Sequence, residues 1–220
     1  MEFALIAAVH LSAWLLIGYL LGACPWGLWL GRWFKGVDVR TVGSKNMGAT
    51  NVYRSLGPTL GIATLLLDAA KGALPVWLAS QSFPHPHPHT PAWIIASGPI
   101  AAGLGAVLGH VFSFWTGFRG GKGVATTAGV LLALAPLAFA VFAVVFVITV
   151  AISRYISLGS TLGAFAFVVA LALMTPSPLS DPRVWLGVLL AVLIVWRHRE
   201  NYRRIARGEE RRFSLRGNAS

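Results

Sequence analysis

Charged residues are scarce in this chain, and their scarcity argues against a soluble fold. Asp, Glu, Lys and Arg make up 11% of the 220 residues, whereas about 25% is usual in a soluble domain. Hydrophobic residues make up 56%. Stretches such as 131–151 offer no polar face to water, which disfavours a soluble helical bundle. Apolar runs longer than roughly 18 residues predict membrane-spanning helices, here within 3–30, 58–83, 91–115, 124–152, 158–175 and 183–197.

Cysteine and acidic residues are also nearly absent. Cys24 is the only cysteine, which excludes a disulfide within the chain and a cysteine-based zinc site. The chain has seven acidic residues and 18 Lys and Arg residues, which gives a formal net charge of +11. No nucleic-acid-binding motif accompanies this charge, so we expect no nucleic-acid partner and assign the excess to cytoplasmic loops. The start, Met1-Glu2-Phe3, lacks the basic segment of a cleaved signal peptide, so the first span is expected to be retained.

The distribution of basic residues predicts the orientation in the membrane. They cluster in 32–54, at Arg119 and Lys122, at Arg154, and in the tail from Arg197 to Arg216. The loops 81–90 and 175–183 hold only Arg183 between them. Since cytoplasmic loops carry the excess of Lys and Arg, the N-terminus is predicted outside and the C-terminus in the cytoplasm.

The two basic flanks of the apolar stretch 124–152 are both predicted to be cytoplasmic. A single crossing would put them on opposite sides of the membrane. Pro136 lies within it, and proline interrupts or kinks a helix. Two short, tilted or partly inserted helices would bring both flanks to the cytoplasmic side. The sequence therefore predicts an all-α, polytopic membrane protein with about seven transmembrane helices. It forms a single domain over 1–220, with a basic cytoplasmic tail over 197–220.

The first polar motif is GSKNMGATNVYR at 43–54. Gly43 and Gly48 permit backbone conformations with positive φ, and Arg54 offers a planar fork suited to phosphate. The alternative is a plain turn with an interfacial anchor. The density of small polar groups argues against that alternative: Ser44, Asn46, Thr50 and Asn51.

The second motif is GFRGGKGVAT at 117–126, just ahead of an apolar helix. Glycines let backbone N–H groups converge on an anion, and a helix N-terminus adds partial positive charge. Lys122 supplies a full charge between Gly120, Gly121 and Gly123. The pattern predicts a phosphate loop, although it does not match the Walker A sequence.

Polar groups within or beside the apolar runs have two interpretations each. Asp68 and Lys71 lie three residues apart on one helix face, and they are either a structural ion pair or functional charges. His110, followed by Ser113, is either a packing hydrogen-bond donor or a catalyst. Ser157 and Ser160 either donate to an anion or cap the next helix.

The tail reads HRENYRRIARGEE over 198–210. His198 and Asn201 are three residues apart, so a helix leaving the membrane would place both on one face. A solvated basic tail would explain the arginines. It would not explain a histidine and an asparagine at the exit of the last span.

Taken together, these motifs resemble the PlsY family, the acyl-phosphate-dependent glycerol-3-phosphate acyltransferases of bacteria. The resemblance rests on the segments already quoted, in the family's order, with DAAKGALP at 68–75, GHVFSFWTGFRGGKGVAT at 109–126 and SLG at 157–159. Two positions depart from the family pattern: Lys45, where many members have Gly, and Met47, where many have Pro. The HPHPH segment at 85–89 is particular to this chain.

The resemblance implies transfer of a fatty acyl group from acyl phosphate to the 1-hydroxyl of glycerol 3-phosphate, the first acylation of bacterial phospholipid synthesis. It implies seven helices in the bacterial inner membrane, an active site facing the cytoplasm, and a soluble acyl-phosphate synthase as a functional partner. Implied catalytic residues are Ser44, His198 and Asn201. Glu209 is linked to structural integrity. Implied substrate-binding residues are Arg54, Lys122, Gly120, Gly121, Gly123, Ser157, Asn46 and Asn51.

No cofactor or metal is expected, and His85, His87 and His89 fall in a predicted external loop away from the chemistry. Either His198 or a substrate phosphate takes the proton of the acceptor hydroxyl. Two other functions compete with acyl transfer. A transporter for a phosphorylated solute would need a polar path, and only Asp68 and Lys71 are charged within the spans. A structural membrane subunit would leave the glycine and asparagine motifs unexplained.

Overall fold

The computed structural model describes residues 2–82 and 92–214, and every regular element in them is helical. The chain divides into two compact units, Met1–Leu134 and Ala135–Ser220. The α-helices of the first unit are α1 Glu2–Gly22, α2 Trp26–Lys35, α3 Ala49–Leu56, α4 Pro58–Ser80, α5 Ala92–Val111 and α6 Val124–Leu134. Those of the second unit are α7 Pro136–Ser153, α8 Ile156–Met174 and α9 Pro182–Ala206.

Five segments of the described chain are long and apolar enough to cross a membrane: Ala7–Lys35, Pro58–Ser80, Ile95–Thr116, Pro136–Ser153 and Ile156–Met174. Helix α6 is apolar but shorter, with 11 residues. Helix α9 has an apolar first half and a basic last half. The predicted all-α, polytopic architecture is thus confirmed.

Glycines bring α1 and α5 into backbone contact. A β-carbon on Gly18 would lie 2.1 Å from the carbonyl oxygen of Ala102, and one on Gly22 would lie 2.0 Å from that of Ala106. The reciprocal contacts run from Gly105 and Gly109 of α5 to the carbonyls of Leu15 and Tyr19. Small residues spaced by four are how membrane helices approach closely. Because the residue numbers rise together, α1 and α5 run parallel and end side by side.

The stretch 124–152 is divided at Pro136, as its sequence predicts. Helix α6 ends at Leu134 and α7 begins at Pro136, the first helical position, where proline's missing N–H is harmless. Helix α6 packs on α4 through glycines, because a β-carbon on Gly72 would meet the Thr126 carbonyl and one on Gly129 would meet that of Ala69. This contact fixes the start of α6 against the middle of α4.

In the second unit, α8 packs against both α7 and α9. Gly159 and Gly163 of α8 lie against Phe146 and Phe142 of α7. Gly187 of α9 faces Phe167, which is almost wholly buried. The helices follow one another through short turns, and the packing sets the basic end of α9 alongside the start of α8.

Candidate active site

The loop 36–48 is organised by one asparagine, Asn51, on the first turns of α3. Its amide nitrogen donates to the carbonyls of Val39 at 3.1 Å, Val42 at 3.1 Å and Asn46 at 2.8 Å. Its Oδ1 accepts from the Ser44 N–H at 2.8 Å. Asn51 was predicted to be a substrate-binding residue. The structure shows its amide engaged with the loop, so it shapes the loop that presents exposed Ser44.

Two backbone positions in this loop require the left-handed region. Gly43 has φ of 59°, and a β-carbon there would lie 2.3 Å from Asn51 Oδ1. Lys45 has φ of 57°, unusual for a residue with a β-carbon. That conformation explains why glycine is common at position 45 in the resembling family. Beneath the loop, Val39, Met47 and Val52 form a small buried apolar cluster.

Asp38 holds the beginning of the same loop through two arginines. Arg40 donates to both of its carboxylate oxygens, at 3.0 and 2.7 Å, and Arg32 donates at 2.9 Å. The side-chain and backbone hydrogen bonds from Arg40, helped by Arg32 and opposed by partial burial, hold the pKa of the Asp38 carboxyl well below its ordinary value. Asp38 therefore stays ionised, and Arg32 and Arg40 are tied to it.

The glycine loop folds back onto the end of α5. Gly120 N–H donates to the Val111 carbonyl at 3.0 Å, and Gly121 N–H donates to that of His110 at 3.2 Å. A β-carbon on Gly120 would lie 1.9 Å from the His110 oxygen. In this structure both N–H groups are accepted by α5 carbonyls, and the binding of substrate by Gly120 and Gly121 stays a prediction. Their glycines are required for close approach of the loop backbone to α5.

The other groups of this loop that attract anions are Lys122 and the start of α6. Gly123 has φ of 82°, which turns the chain into the helix, and its carbonyl accepts the Thr127 N–H. The first N–H groups of a helix lack partners within the helix and carry partial positive charge. Lys122 is half-buried immediately before this helix start.

A buried polar cluster lies behind the glycine loop. Lys71 Nζ is 2.7 Å from Asp68 Oδ1 and donates to the Cys24 carbonyl at 2.6 Å. His110 Nδ1 is 3.6 Å from the same carboxylate oxygen. Just past the end of α1, the Cys24 carbonyl also accepts from the Trp26 N–H at 3.1 Å, so Lys71 adds a second hydrogen bond to it. The structure therefore favours the structural interpretation of Asp68 and Lys71.

Ser113 contributes a second anchor to the end of α1. Its hydroxyl donates to the Ala23 carbonyl at 2.6 Å, and Tyr19 donates to the Phe112 carbonyl at 2.8 Å. His110, buried between Asp68 and Gly121, occupies a packing position. This agrees with the packing interpretation of His110 made from the sequence.

The two serines at the start of α8 differ in their contacts. Ser160 donates to the Ile156 carbonyl at 2.8 Å, while neither serine caps the helix, whose N-cap residue is Tyr155. The Ser157 hydroxyl is buried and has no hydrogen-bond partner in residues 2–82 and 92–214. Of the two, Ser157 is thus the one whose hydroxyl remains available to a ligand.

His198 and Asn201 share the buried stripe of α9, as their spacing predicts. Nδ1 of His198 lies 2.8 Å from the Ile194 carbonyl. Because a carbonyl oxygen only accepts, Nδ1 carries the hydrogen and Nε2 is the basic nitrogen of the neutral ring. Asn201 Nδ2 donates to Glu210 Oε1 at 2.6 Å.

The structural role expected of Glu209 belongs to Glu210. Besides Asn201, Glu210 accepts a 2.6 Å hydrogen bond from Arg204 Nε, whereas the Glu209 side chain is exposed. Beyond Glu210, the Phe213 N–H donates to the Arg154 carbonyl, which fastens the tail to the turn between α7 and α8. The end of α9 that carries Asn201 is thus held in place by Glu210, the residue after the one predicted.

Sequence reasoning did not anticipate an open cavity of about 490 Å³ beside the two loops of the first unit. It is lined by Asp38, Arg40, Thr41, Lys45, Met47, Thr116, Arg119 and Gly120. The density of basic residues in 32–54 and 117–123 was the only signal for it. His85, His87 and His89 lie outside the described residues. Within residues 2–82 and 92–214, no group of three His, Cys, Asp or Glu could hold a metal ion.

Comparison with known proteins bears on the class of enzyme. Residues 12–208 match the family model described as glycerol-3-phosphate acyltransferase. Proteins of that name from Myxococcus xanthus and Geobacter sulfurreducens are 49% and 45% identical to the chain. The alignments cover 92% and 90% of the chain, and 99% and 94% of those proteins.

Solved structures show the same similarity. PlsY (YgiH), an integral membrane glycerol 3-phosphate acyltransferase, superposes in its glycerol 3-phosphate form with a TM-score of 0.80 and 35% identity, over 93% of this chain and 96% of that one. Its lysophosphatidic acid form gives 0.78 and 33%, over 94% and 97%. The helices, the loops and these similarities together define an integral membrane acyltransferase. The chain belongs to the glycerol-3-phosphate acyltransferase family, which confirms the resemblance drawn from its motifs.

Proposed function

We propose that this acyltransferase moves a fatty acyl group from acyl phosphate to the 1-hydroxyl of glycerol 3-phosphate, giving lysophosphatidic acid and phosphate. The observation that carries the proposal is the similarity, along 93% of the chain, to an enzyme structure described in a glycerol 3-phosphate form. The lysophosphatidic acid form of that neighbour supports the product. The reaction would be the first acylation of phospholipid synthesis.

Acyl phosphate is the donor that suits the groups present. The loops offer Arg54, Lys122 and a helix N-terminus for phosphate, and the sequence has no evident adenine- or pantetheine-binding motif. Phosphate is a good leaving group, and the acyl chain can stay in the apolar phase while the head group reacts. A soluble enzyme that makes acyl phosphate is then the functional partner, and neither a metal nor an organic cofactor is needed.

The roles divide between the two units. In the first, Arg54 and Lys122 hold phosphate groups and Ser44 contacts the reacting substrate. Asn46, Asn51, Gly120, Gly121 and Gly123 give the loops their shape. In the second, Ser157 donates its buried hydroxyl to phosphate, while His198 and Asn201 receive glycerol 3-phosphate.

The chemistry needs one bond formed, one bond broken and one proton moved. The glycerol oxygen attacks the acyl carbon, and the bond from that carbon to the phosphate oxygen breaks. Phosphate departs with the bonding electrons. The hydroxyl proton goes either to His198 Nε2, the basic nitrogen of that ring, or to a phosphate oxygen. Cationic groups stabilise the charge that develops, and positioning supplies much of the rate.

An assay with purified protein tests the function directly. Phosphate release from palmitoyl phosphate should depend on glycerol 3-phosphate and should match the lysophosphatidic acid formed. Acyl-CoA as sole donor should give little product, and efficient turnover with it would refute the donor assignment. A transporter would instead move glycerol 3-phosphate across vesicles without releasing phosphate.

Orientation is a separate part of the proposal. The basic loops favour seven crossings of the bacterial inner membrane, with the N-terminus outside and the site facing the cytoplasm. Reporter fusions should then place residues 46, 121 and 205 inside and residue 86 outside. An external location of residue 121 would contradict a shared cytoplasmic site.

A further inference from the structure

The open cavity beside the two loops has an excess of positive charge that the proposed acyl transfer does not use. Three cations line it, Arg40, Lys45 and Arg119, with a single carboxylate, Asp38. Arg40 is tied to Asp38 by two hydrogen bonds. Lys45 and Arg119 are exposed, and neither side chain has a partner within residues 2–82 and 92–214. Two lining cations are therefore left without a counter-charge.

The backbone holds both cations at this cavity. Lys45 has φ of 57°, a conformation that disfavours any residue with a β-carbon, yet a long cationic side chain stands there. The Asn51 hydrogen bonds fix the loop on one side of Lys45. Arg119 directly precedes Gly120, whose N–H is bonded to the Val111 carbonyl. Both side chains thus extend from anchored backbone into the same space.

We propose that Lys45 and Arg119 form an anion subsite that takes a phosphate monoester. A dianion matches two uncompensated cations, and the guanidinium fork of Arg119 suits phosphate oxygens. The choice of a phosphate monoester rests on the proposed function, whereas the pair of free cations does not. The monoester is either a soluble one, such as glycerol 3-phosphate, or the head group of a lipid such as phosphatidic acid.

Direct binding tests the subsite without relying on turnover. Inorganic phosphate is titrated calorimetrically into the purified full chain, the Lys45→Gly and Arg119→Gln variants, and the double variant. The Lys45→Gly change removes the charge and also relieves the backbone conformation, so folding is preserved, which a thermal unfolding curve checks. Lys35→Gln is the matched control, because Lys35 is an exposed cation in the last turn of α2 and does not line the cavity.

The double variant should bind phosphate at this subsite at least about tenfold more weakly, as expected when charged hydrogen bonds are lost. The parent affinity should also fall with rising salt. Lys122→Ala should leave this binding in place, since Lys122 belongs to the proposed transfer site. Unchanged affinity in the double variant, or an equal loss in Lys35→Gln, would overturn the subsite.

A competition experiment identifies the source of the monoester. Glycerol 3-phosphate is added to detergent-purified protein, and phosphatidic acid is placed in phosphatidylcholine nanodiscs, each against inorganic phosphate. Competition by one of them in Lys122→Ala, lost when Lys45→Gly and Arg119→Gln are added to that background, names the ligand of the subsite. Competition by neither would mean that only adventitious phosphate binds, and the proposal would fail. If the chain transfers no acyl group but this binding persists, the proposed function alone is wrong.

Discussion

The imidazole of His110 lies directly against the backbone of Gly121, so that a β-carbon on Gly121 would come within 2.2 Å of Nε2. The Gly121 N–H also donates to the His110 carbonyl. The glycine loop is therefore seated on the last turn of α5, and the residue before Lys122 has no room for a side chain. The position of Lys122 depends on this contact.

Gly121→Ala should displace the loop and lower kcat/KM by at least about tenfold. The added methyl group must push His110 or the loop aside, and overpacking of this kind costs about 1–3 kcal/mol. Steady-state kinetics with both substrates and thermal unfolding in detergent measure the two effects.

The companion variant is His110→Ala, which removes the obstructing ring. Gly121→Ala should cost much less in that background, giving a coupling that a double-mutant cycle detects. Parent-like activity of Gly121→Ala alone would show that the loop is not seated through this contact.

Lys71→Met should lower the free energy of unfolding by about 3–5 kcal/mol, the usual cost of leaving one partner of a buried ion pair alone. It would strip Asp68 of its nearest cation, leaving only His110 at 3.6 Å, and would remove the 2.6 Å hydrogen bond to the Cys24 carbonyl. Thermal unfolding of the solubilised protein, followed by tryptophan fluorescence, measures the change.

Asp68→Asn together with Lys71→Met should be more stable than Lys71→Met alone, because no charge is then buried without a partner. If the double variant unfolds at or below the temperature of Lys71→Met, the unpaired charge of Asp68 is not the cause of the lost stability. In kinetic assays, a smaller fraction of Lys71→Met should be active, and its KM should be nearly normal.

Glu210→Ala and Glu209→Ala remove the same charge at neighbouring positions, but only Glu210→Ala removes a hydrogen bond to Asn201. Glu210→Ala should raise KM for glycerol 3-phosphate, because Asn201 loses the 2.6 Å hydrogen bond that orients its amide. Hydrogen bonds to charged groups are worth about 1.5–3 kcal/mol, so an increase of roughly ten- to a hundredfold is expected. Glu209→Ala removes the same charge from an exposed position and should behave like the parent. A larger defect in Glu209→Ala would reverse the assignment.

His198→Gln and His198→Ala distinguish a base from a positioning residue. A lost general base costs about 10²–10⁴ in rate, and glutamine cannot take a proton near neutral pH. We expect His198→Gln to keep most of kcat and His198→Ala to lose it, because a phosphate oxygen can accept the proton at the reacting centre. Loss of kcat in both variants, with the acidic limb of the pH profile abolished, would instead identify His198 as the base.

The sequence predicted the features that depend on local composition. Apolar runs longer than a bilayer core can only be helices there, since every backbone polar group must be paired within the segment. The division at Pro136 followed from proline's missing N–H. The shared face of His198 and Asn201 followed from helical periodicity.

Tertiary structure decided which partner each polar group meets. Gly120 and Gly121 looked like anion donors, but the close approach of the loop to α5 directs their N–H groups to the Val111 and His110 carbonyls. Asn51 looked like a ligand, but it lies inside the loop it organises. A glycine pattern specifies that backbones can come close, and it does not specify which backbones do.

By itself, the sequence determined that this protein is a helical membrane protein with basic, glycine-containing loops, because those traits follow from residue type and local spacing. Acyl transfer was indicated by the resemblance of its motifs to a known family. Only the tertiary structure decided that Glu210 rather than Glu209 holds Asn201, and that Lys45 and Arg119 face one cavity. The two glutamates are chemically identical neighbours, and the two cations lie 74 positions apart in the numbering. These contacts depend on which distant segments the fold brings together. Residue type and local spacing do not specify that.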